Sequence, residues 1–208
     1  MIINVNAYTP DEAMTDSVKD AHPYRAAIEY ASEQLGSGGG RSLLVLGSPP
    51  AEANALEALG WQVTLVDWRI MRHPRWVQGD AMALTFGDAT FDAVSSTCVL
   101  CHVGLGRYGD PVAEHGPSRM LAEIDRVLKP GGRVVLMPGP VVTGTAITMG
   151  TVHRVTTLET MADLTATWFR TIGRRVFQAE RRTWLPPGEA ITSDVIHPDY
   201  LCLTLERV

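Results

Sequence analysis

The chain of 208 residues has no apolar stretch long enough to cross a bilayer, and its start, MIINVNAYTPDEAMTDS, carries neither a basic cluster nor an apolar core. These absences argue against a membrane span or a secretory leader and point to the cytoplasm. Positive charge is scarce as well: 18 Lys and Arg stand against 23 Asp and Glu, a formal charge of −5. Clustered cations are what draw a protein to phosphate backbones, so no nucleic-acid partner is expected. Cysteine is limited to Cys98, Cys101 and Cys202. An odd number in a chain large enough to stabilise itself by burial argues against a disulfide framework. The run Cys98-Val99-Leu100-Cys101-His102 fits the spacing of covalent haem attachment, but that modification requires export. A zinc site needs four ligands, and no second pair lies at ligand spacing, so no metal is expected. Cys98 and Cys101 read instead as small apolar side chains near a strand end.

What is present is ordinary globular material, with 45% hydrophobic and 20% charged residues, in a length suited to one domain. From Asp11 to Leu35 apolar residues recur at helical spacing (Ala26, Ala27, Tyr30, Ala31), and the pattern stops at GSGGG, residues 36–40. The uninterrupted run Leu43–Leu46 suits a strand covered on both faces, as in a parallel sheet. AEANALEALG reads as a helix closed by Gly60, and WQVTLVDW as a second strand ending in Asp67. A short strand follows near Trp76 and Val77, then a polar run, a strand over Ala93–Ser96, a helix from about Ser118 to Leu128, a KPGG turn and the strand RVVLMP. Strands alternating with helices predict βαβ crossovers and an α/β, doubly wound, mostly parallel sheet with helices on both faces. In the tail, TTLETMADLTATWF reads as a helix, and RRVFQAERR with YLCLTLERV as an antiparallel pair at one sheet edge.

In such sheets a ligand lies beyond the carboxyl ends of the strands, where the strand order reverses. The first strand ends at Gly47 and the second at Asp67, about 20 residues on, the separation at which these folds place an acid on a ribose diol. Asp67 could equally cap a strand end. The stretch VQGDAMALTFGDATFDAV, and MLAEIDRVLKPGGRVVLMP after it, resemble the adenine-holding and post-active-site segments of class I S-adenosylmethionine-dependent methyltransferases. The resemblance covers about residues 41–140. It implies a Rossmann-like fold, S-adenosyl-L-methionine as cofactor, and cofactor contacts from Gly47, Ser48, Asp67, Trp68, Asp80, Ala81 and Ser96, with Asp80 and the Ala81 backbone at the adenine edge. The chain departs from the family at the first strand, where Val45 takes the place of an acid and Pro49 that of a second glycine. CHVGLGRYGDPVAEHG is similar to a run ending in GLGRYGDP that marks a little-characterised methyltransferase-like branch. On this reading residues 1–40 are an N-terminal helical segment and Gly-rich joint, and 41–208 the methyltransferase-like domain.

His102 leaves the fourth strand on the cofactor side, and as a neutral imidazole it is the candidate catalytic proton acceptor, although a hydrogen-bonded structural role fits it too. Arg107, Tyr108 and His153 are candidates for substrate contact, and an Arg107–Asp110 pair could instead organise the loop. Four glycines between Gly104 and Gly116 suit a loop that closes over a pocket. The function expected is methyl transfer to a small-molecule acceptor, with a non-catalytic nucleoside- or partner-binding protein as the alternative. A nicotinamide-dependent enzyme fits less well, since G-x-G-x-x-G is missing.

Overall fold

The structure, a computed structural model, describes residues 22–47, 50–70, 73–187, 189–191, 193 and 198–208. Helix α1 (His22–Leu35) leads to strand β1 (Ser42–Leu46), helix α2 (Pro50–Ala58), β2 (Gln62–Asp67), β3 (Trp76–Gln78) and β4 (Phe91–Thr97). Then come α3 (Gly116–Val127), β5 (Leu128–Met137), β6 (Pro140–Val141), β7 (Ile147–Met149), β8 (His153–Val155), α4 (Leu158–Ala166), β9 (Phe169–Gln178), β10 (Thr183–Trp184) and β11 (Asp199–Arg207).

β1 lies inside the sheet, between β2 and β4, and every residue from Leu43 to Leu46 is fully buried. Leu44 and Leu46 pack into the apolar layer holding Met120, Leu121 and Ile124 of α3, while Leu43 and Val45 pack into the layer holding Tyr30, Ala31 and Leu35 of α1 and Leu56 of α2. Successive side chains of a strand face opposite ways, so a run apolar at every position belongs where both faces are covered. The strand order is β10-β9-β11-β5-β4-β1-β2-β3, with β6 beside β11 and with β7 and β8 forming a separate hairpin. β5, β4, β1, β2 and β3 run parallel, and β9 and β11 are antiparallel. The expected doubly wound sheet is therefore the observed one. The tail does form the antiparallel region, with β11 inserted between β5 and β9.

Two local features differ in detail from the sequence pattern. LKPGG does not simply separate helix from strand. Phe91 pairs with Leu128 and Ala93 with Arg133, so Lys129–Gly132 bulge out of a β5 that already begins at Leu128. Residues 36–40 lie against the turn after α2, where Gly38 N–H donates to the Leu59 carbonyl at 2.8 Å and Gly40 N–H to the Gly60 carbonyl at 2.9 Å. A Cβ on Gly38 would sit 2.5 Å from the Trp61 backbone nitrogen, so only glycine fits there. From this turn α1 reaches the far side of the sheet, and the Tyr30 hydroxyl hydrogen-bonds the Thr204 hydroxyl of β11 at 2.8 Å. Gly38→Ala should consequently lower the unfolding free energy by about 1–3 kcal/mol, the usual cost of overpacking, and urea denaturation followed by circular dichroism measures it.

Candidate functional site

The chain winds from β1 toward β2 and β3 on one side and from β4 to β5 on the other, so the order reverses between β1 and β4. A crevice at the carboxyl ends of these two strands is where a ligand is expected. Gly47 ends β1 in a left-handed conformation (φ +59°), its N–H donating to the Val66 carbonyl at 2.7 Å. A Cβ there would fall 2.3 Å from Cγ2 of Val99, just beyond β4. Val99 thus fills the space a side chain would take, and only glycine fits where the turns after β1 and β4 meet. Ser48, expected beside it, lies outside the described residues.

At the end of β2, Asp67 is 6% exposed and its carboxylate is fully engaged by Arg69. Oδ1 accepts from Arg69 N–H at 2.7 Å and from Nε at 3.0 Å, and Oδ2 accepts from Nη2 at 2.8 Å. The next side chain, Trp68, is 36% exposed, while its carbonyl accepts from Gln78 Nε2. Asp80 closes a local turn, with Oδ1 accepting from Met82 N–H at 2.8 Å and the Asp80 carbonyl accepting from Ala83 N–H. Asp80 and Ala81 are half-buried. The Ser96 hydroxyl points into the sheet and donates to the Leu46 carbonyl at 3.3 Å, between β1 and β4.

Beyond β4 the chain turns at Cys98 (φ +58°) and winds through Val99–Leu105, with His102 N–H donating to the Val99 carbonyl. This turn aims the half-buried His102 ring at the strap leading into β8. His102 Nδ1 lies 2.6 Å from the Val152 carbonyl, which also accepts from Arg107 Nη1 at 2.6 Å. Because a carbonyl only accepts, Nδ1 carries the hydrogen and Nε2 keeps its lone pair. Arg107 Nη1 comes within 3.3 Å of Nδ1 because both donors share that oxygen. Burial, followed by the charge of Arg107, pulls the His102 pKa down from 6.5 to about 3. His153 is shifted the same way by burial and by Arg107, and its ring centroid stands 6.1 Å from that of His102.

Tyr108 completes the cluster. Its ring lies 6.0 Å from His102, with the Arg69 guanidinium 4.6 Å and the Arg107 guanidinium 5.3 Å from its centroid. Asp110 does not pair with Arg107; its Oδ1 accepts from the Tyr108 N–H at 3.0 Å. Asp67, Arg69, Tyr108, Arg107, His102 and His153 thus form one continuous patch, while Asp80 and Ser96 are tied into local structure. Arg69 was not foreseen, although its place two residues after Asp67 in VDWR is within reach of a bidentate contact. Tyr24 was not foreseen either. It reaches from α1 to Cys98, Cys101 and Tyr108, and the Cys98 thiol together with burial raises its hydroxyl above the ordinary tyrosine range. Cys98 and Cys101 are buried thiols, with Cys101 Sγ donating to the Cys98 carbonyl at 3.4 Å, as apolar packing near the strand end predicts.

Comparison with known proteins agrees with this architecture. Residues 34–136 match the methyltransferase domain family. A segment of 66 residues, 32% of this chain, is 41% identical to demethylmenaquinone methyltransferase of Deinococcus radiodurans, but it spans only 23% of that enzyme's length. Among solved structures, 1,6-didemethyltoxoflavin-N1-methyltransferase of Burkholderia thailandensis, with 1,6-didemethyltoxoflavin and S-adenosylhomocysteine bound, superposes with a TM-score of 0.73 at 18% identity over 98% of this chain and 85% of that one. The cyclase SpnF superposes with a TM-score of 0.60 at 18% identity, over 88% of this chain and 80% of its own. At these identities the structural likeness establishes the class I methyltransferase fold. The fold also hosts a cyclase, so it does not by itself name a reaction.

The depressed basicity of His102 has a consequence for stability. Between pH 3 and 6.5 the unfolded chain binds the His102 proton and the folded chain does not, so this group's contribution is fully present above 6.5 and is lost as pH falls. From pH 7.5 to 4.5 that amounts to about 2–3 kcal/mol. His102→Gln should show a correspondingly smaller loss of melting temperature over the same interval, measured by differential scanning calorimetry.

Proposed function

We propose that this chain, which carries a methyltransferase domain on the class I fold, transfers a methyl group from S-adenosylmethionine to a small-molecule acceptor. The observation that carries the reading is the convergence at the switch point of a buried carboxylate, Asp67, with the left-handed turn at Gly47, where the ends of β1 and β4 meet. The residues fit an adenosyl ligand: with Arg69 displaced, Asp67 would offer two oxygens to a ribose diol, Trp68 is partly exposed next to it, and Asp80 keeps a second oxygen beside the Ala81 backbone for the adenine edge. We assign Gly47 and Ser48 to the cofactor side on the family resemblance, whereas the Ser96 hydroxyl is turned to the Leu46 carbonyl and joins β1 to β4. The formal charge of −5 favours a small acceptor over a nucleic acid. Among the described residues no helix is long and apolar enough to cross a membrane, and we assign the protein to the cytoplasm. On GLGRYGDP alone we place it in the branch that this run marks.

Bound S-adenosylmethionine supplies a methyl already activated on a sulfonium, so alignment of an acceptor lone pair and exclusion of water carry most of the rate. Arg107, Tyr108 and His153 line the acceptor side. His102 presents Nε2 as the hydrogen-bond acceptor for an acceptor O–H or N–H and takes its proton as the new bond forms. The shared Val152 carbonyl locks the tautomer that makes this possible. Because the imidazole is only weakly basic, its contribution belongs at the low end of general-base effects, about 10²-fold. Nothing in the site favours the binding-only alternative, which needs no oriented lone pair.

Calorimetric titration with S-adenosylmethionine, S-adenosylhomocysteine and NAD tests the assignment. We expect the two adenosyl ligands to bind and NAD not to, and Asp67→Ala to weaken S-adenosylhomocysteine at least ten-fold, since charged hydrogen bonds contribute about 1.5–3 kcal/mol each. Unchanged affinity in a folded variant would remove Asp67 from the site. With an acceptor in hand, His102→Gln should lower kcat about 10²-fold while leaving S-adenosylhomocysteine affinity within about two-fold. A group titrating near 3 should also leave no inflection in the wild-type profile between pH 5 and 8.

A further inference from the structure

Two guanidinium groups lie against the ring of Tyr108, and they are partnered unequally. Arg69 is tied to Asp67 by a bidentate ion pair. Arg107 is half-buried, yet among the described residues it meets no carboxylate; its hydrogen bond goes to the Val152 carbonyl. The nearest titratable groups do not offset it. His102 and His153 are neutral at physiological pH, and Asp110 is turned to the Tyr108 N–H. A partly desolvated cation without a counter-charge is costly in a resting protein and is relieved by an anionic ligand.

The Arg69–Asp67 pair adds a second element. A ribose diol would donate to the same two carboxylate oxygens that now accept from Nε and Nη2 of Arg69. The two cannot both be held bidentately, so a bound ribose displaces the guanidinium from Asp67. Once freed, it already lies over the Tyr108 ring, on which Arg107 also sits. Two cations on one aromatic ring, with Asp67 withdrawn, form a site suited to two-pronged capture of a carboxylate or phosphate.

We propose that the acceptor carries a carboxylate or phosphate group read by Arg107 and by Arg69, and that Arg69 becomes available only when the cofactor ribose has taken Asp67, so the cofactor binds first and completes the anion site. This inference rests on the donor assignment of Asp67 made above. Coupling of this kind is reciprocal: an anion in the site should tighten the nucleoside by the same factor as the nucleoside tightens the anion.

Benzoate and inorganic phosphate serve as probes, titrated calorimetrically into the full chain with and without saturating S-adenosylhomocysteine. At least one probe should bind about five-fold or more tightly when the nucleoside is present, the lower end of typical coupling. Arg107→Gln should weaken that probe about ten-fold in both states. Arg69→Gln should bind S-adenosylhomocysteine at least as well as the wild type, having lost its internal competitor, and should abolish the tightening. Normal nucleoside binding with no tightening of either probe overturns the inference alone. Failure of S-adenosylhomocysteine to bind, seen before any anion is added, overturns the donor assignment and the inference with it. 5′-Methylthioadenosine, which has the ribose but no carboxylate, separates the two sources of the anion. If it tightens the probe as well, the anion belongs to the acceptor. If Arg107→Gln weakens S-adenosylhomocysteine ten-fold and leaves methylthioadenosine unchanged, Arg107 holds the cofactor's own carboxylate and the acceptor assignment fails.

Discussion

The site depends on β1 being buried on both faces and paired on both edges. Its neighbours β2 and β4 run parallel to it, and the chain leaves toward opposite sides of the sheet from these two strands. Three carboxyl ends are thereby brought within a few strand spacings of about 4.8 Å each. The closeness of Gly47 to Val99 is a direct result: the turn after β1 and the turn after β4 touch, and only a residue without a side chain can stand at that point. Arg69, Tyr108 and His102 are arranged around this floor.

Charge in the crevice is mostly positive and unevenly compensated. Among the described residues Arg69 and Arg107 face one buried acid, Asp67; both help keep His102 neutral, and Arg107 does the same for His153. Such surroundings are poor for strong base chemistry and good for positioning. Methyl transfer tolerates this, because alignment contributes more to it than proton removal does. The Val152 carbonyl is important out of proportion to its size: it fixes the imidazole tautomer and anchors Arg107 through one oxygen. A strap outside the main sheet therefore organises the side chains above β4.

Much of the framework is legible in the chain because burial on two faces leaves an unmistakable mark. LLVL, VTLV and RVVLM are apolar without alternation, and the helix over Gly116–Val127 shows fully buried Met120, Leu121, Ile124 and Val127 at helical spacing. The β7–β8 hairpin was not legible: Ile147–Met149 is exposed along its length and leaves no hydrophobic signature. The five glycine-rich residues before β1 looked like slack chain, yet Gly38 is glycine because the Trp61 backbone leaves no space for anything larger. Composition reports the small residue and not the neighbour that requires it.

The doubly wound sheet and the order of its parallel strands are readable along the chain, and with them the positions of Gly47, Asp67 and His102 at or just after strand ends, since periodicity and strand length are local properties. What those residues touch is set by how the folded chain packs. Arg69 closes on Asp67, His102 and Arg107 meet at the carbonyl of Val152, 50 and 45 residues further along the chain, Tyr24 arrives from α1, and the Ser96 hydroxyl turns inward to Leu46. Each of these depends on side-chain direction and on loops brought together by the sheet. No pattern along the chain encodes such meetings, because their partners are set by packing in three dimensions.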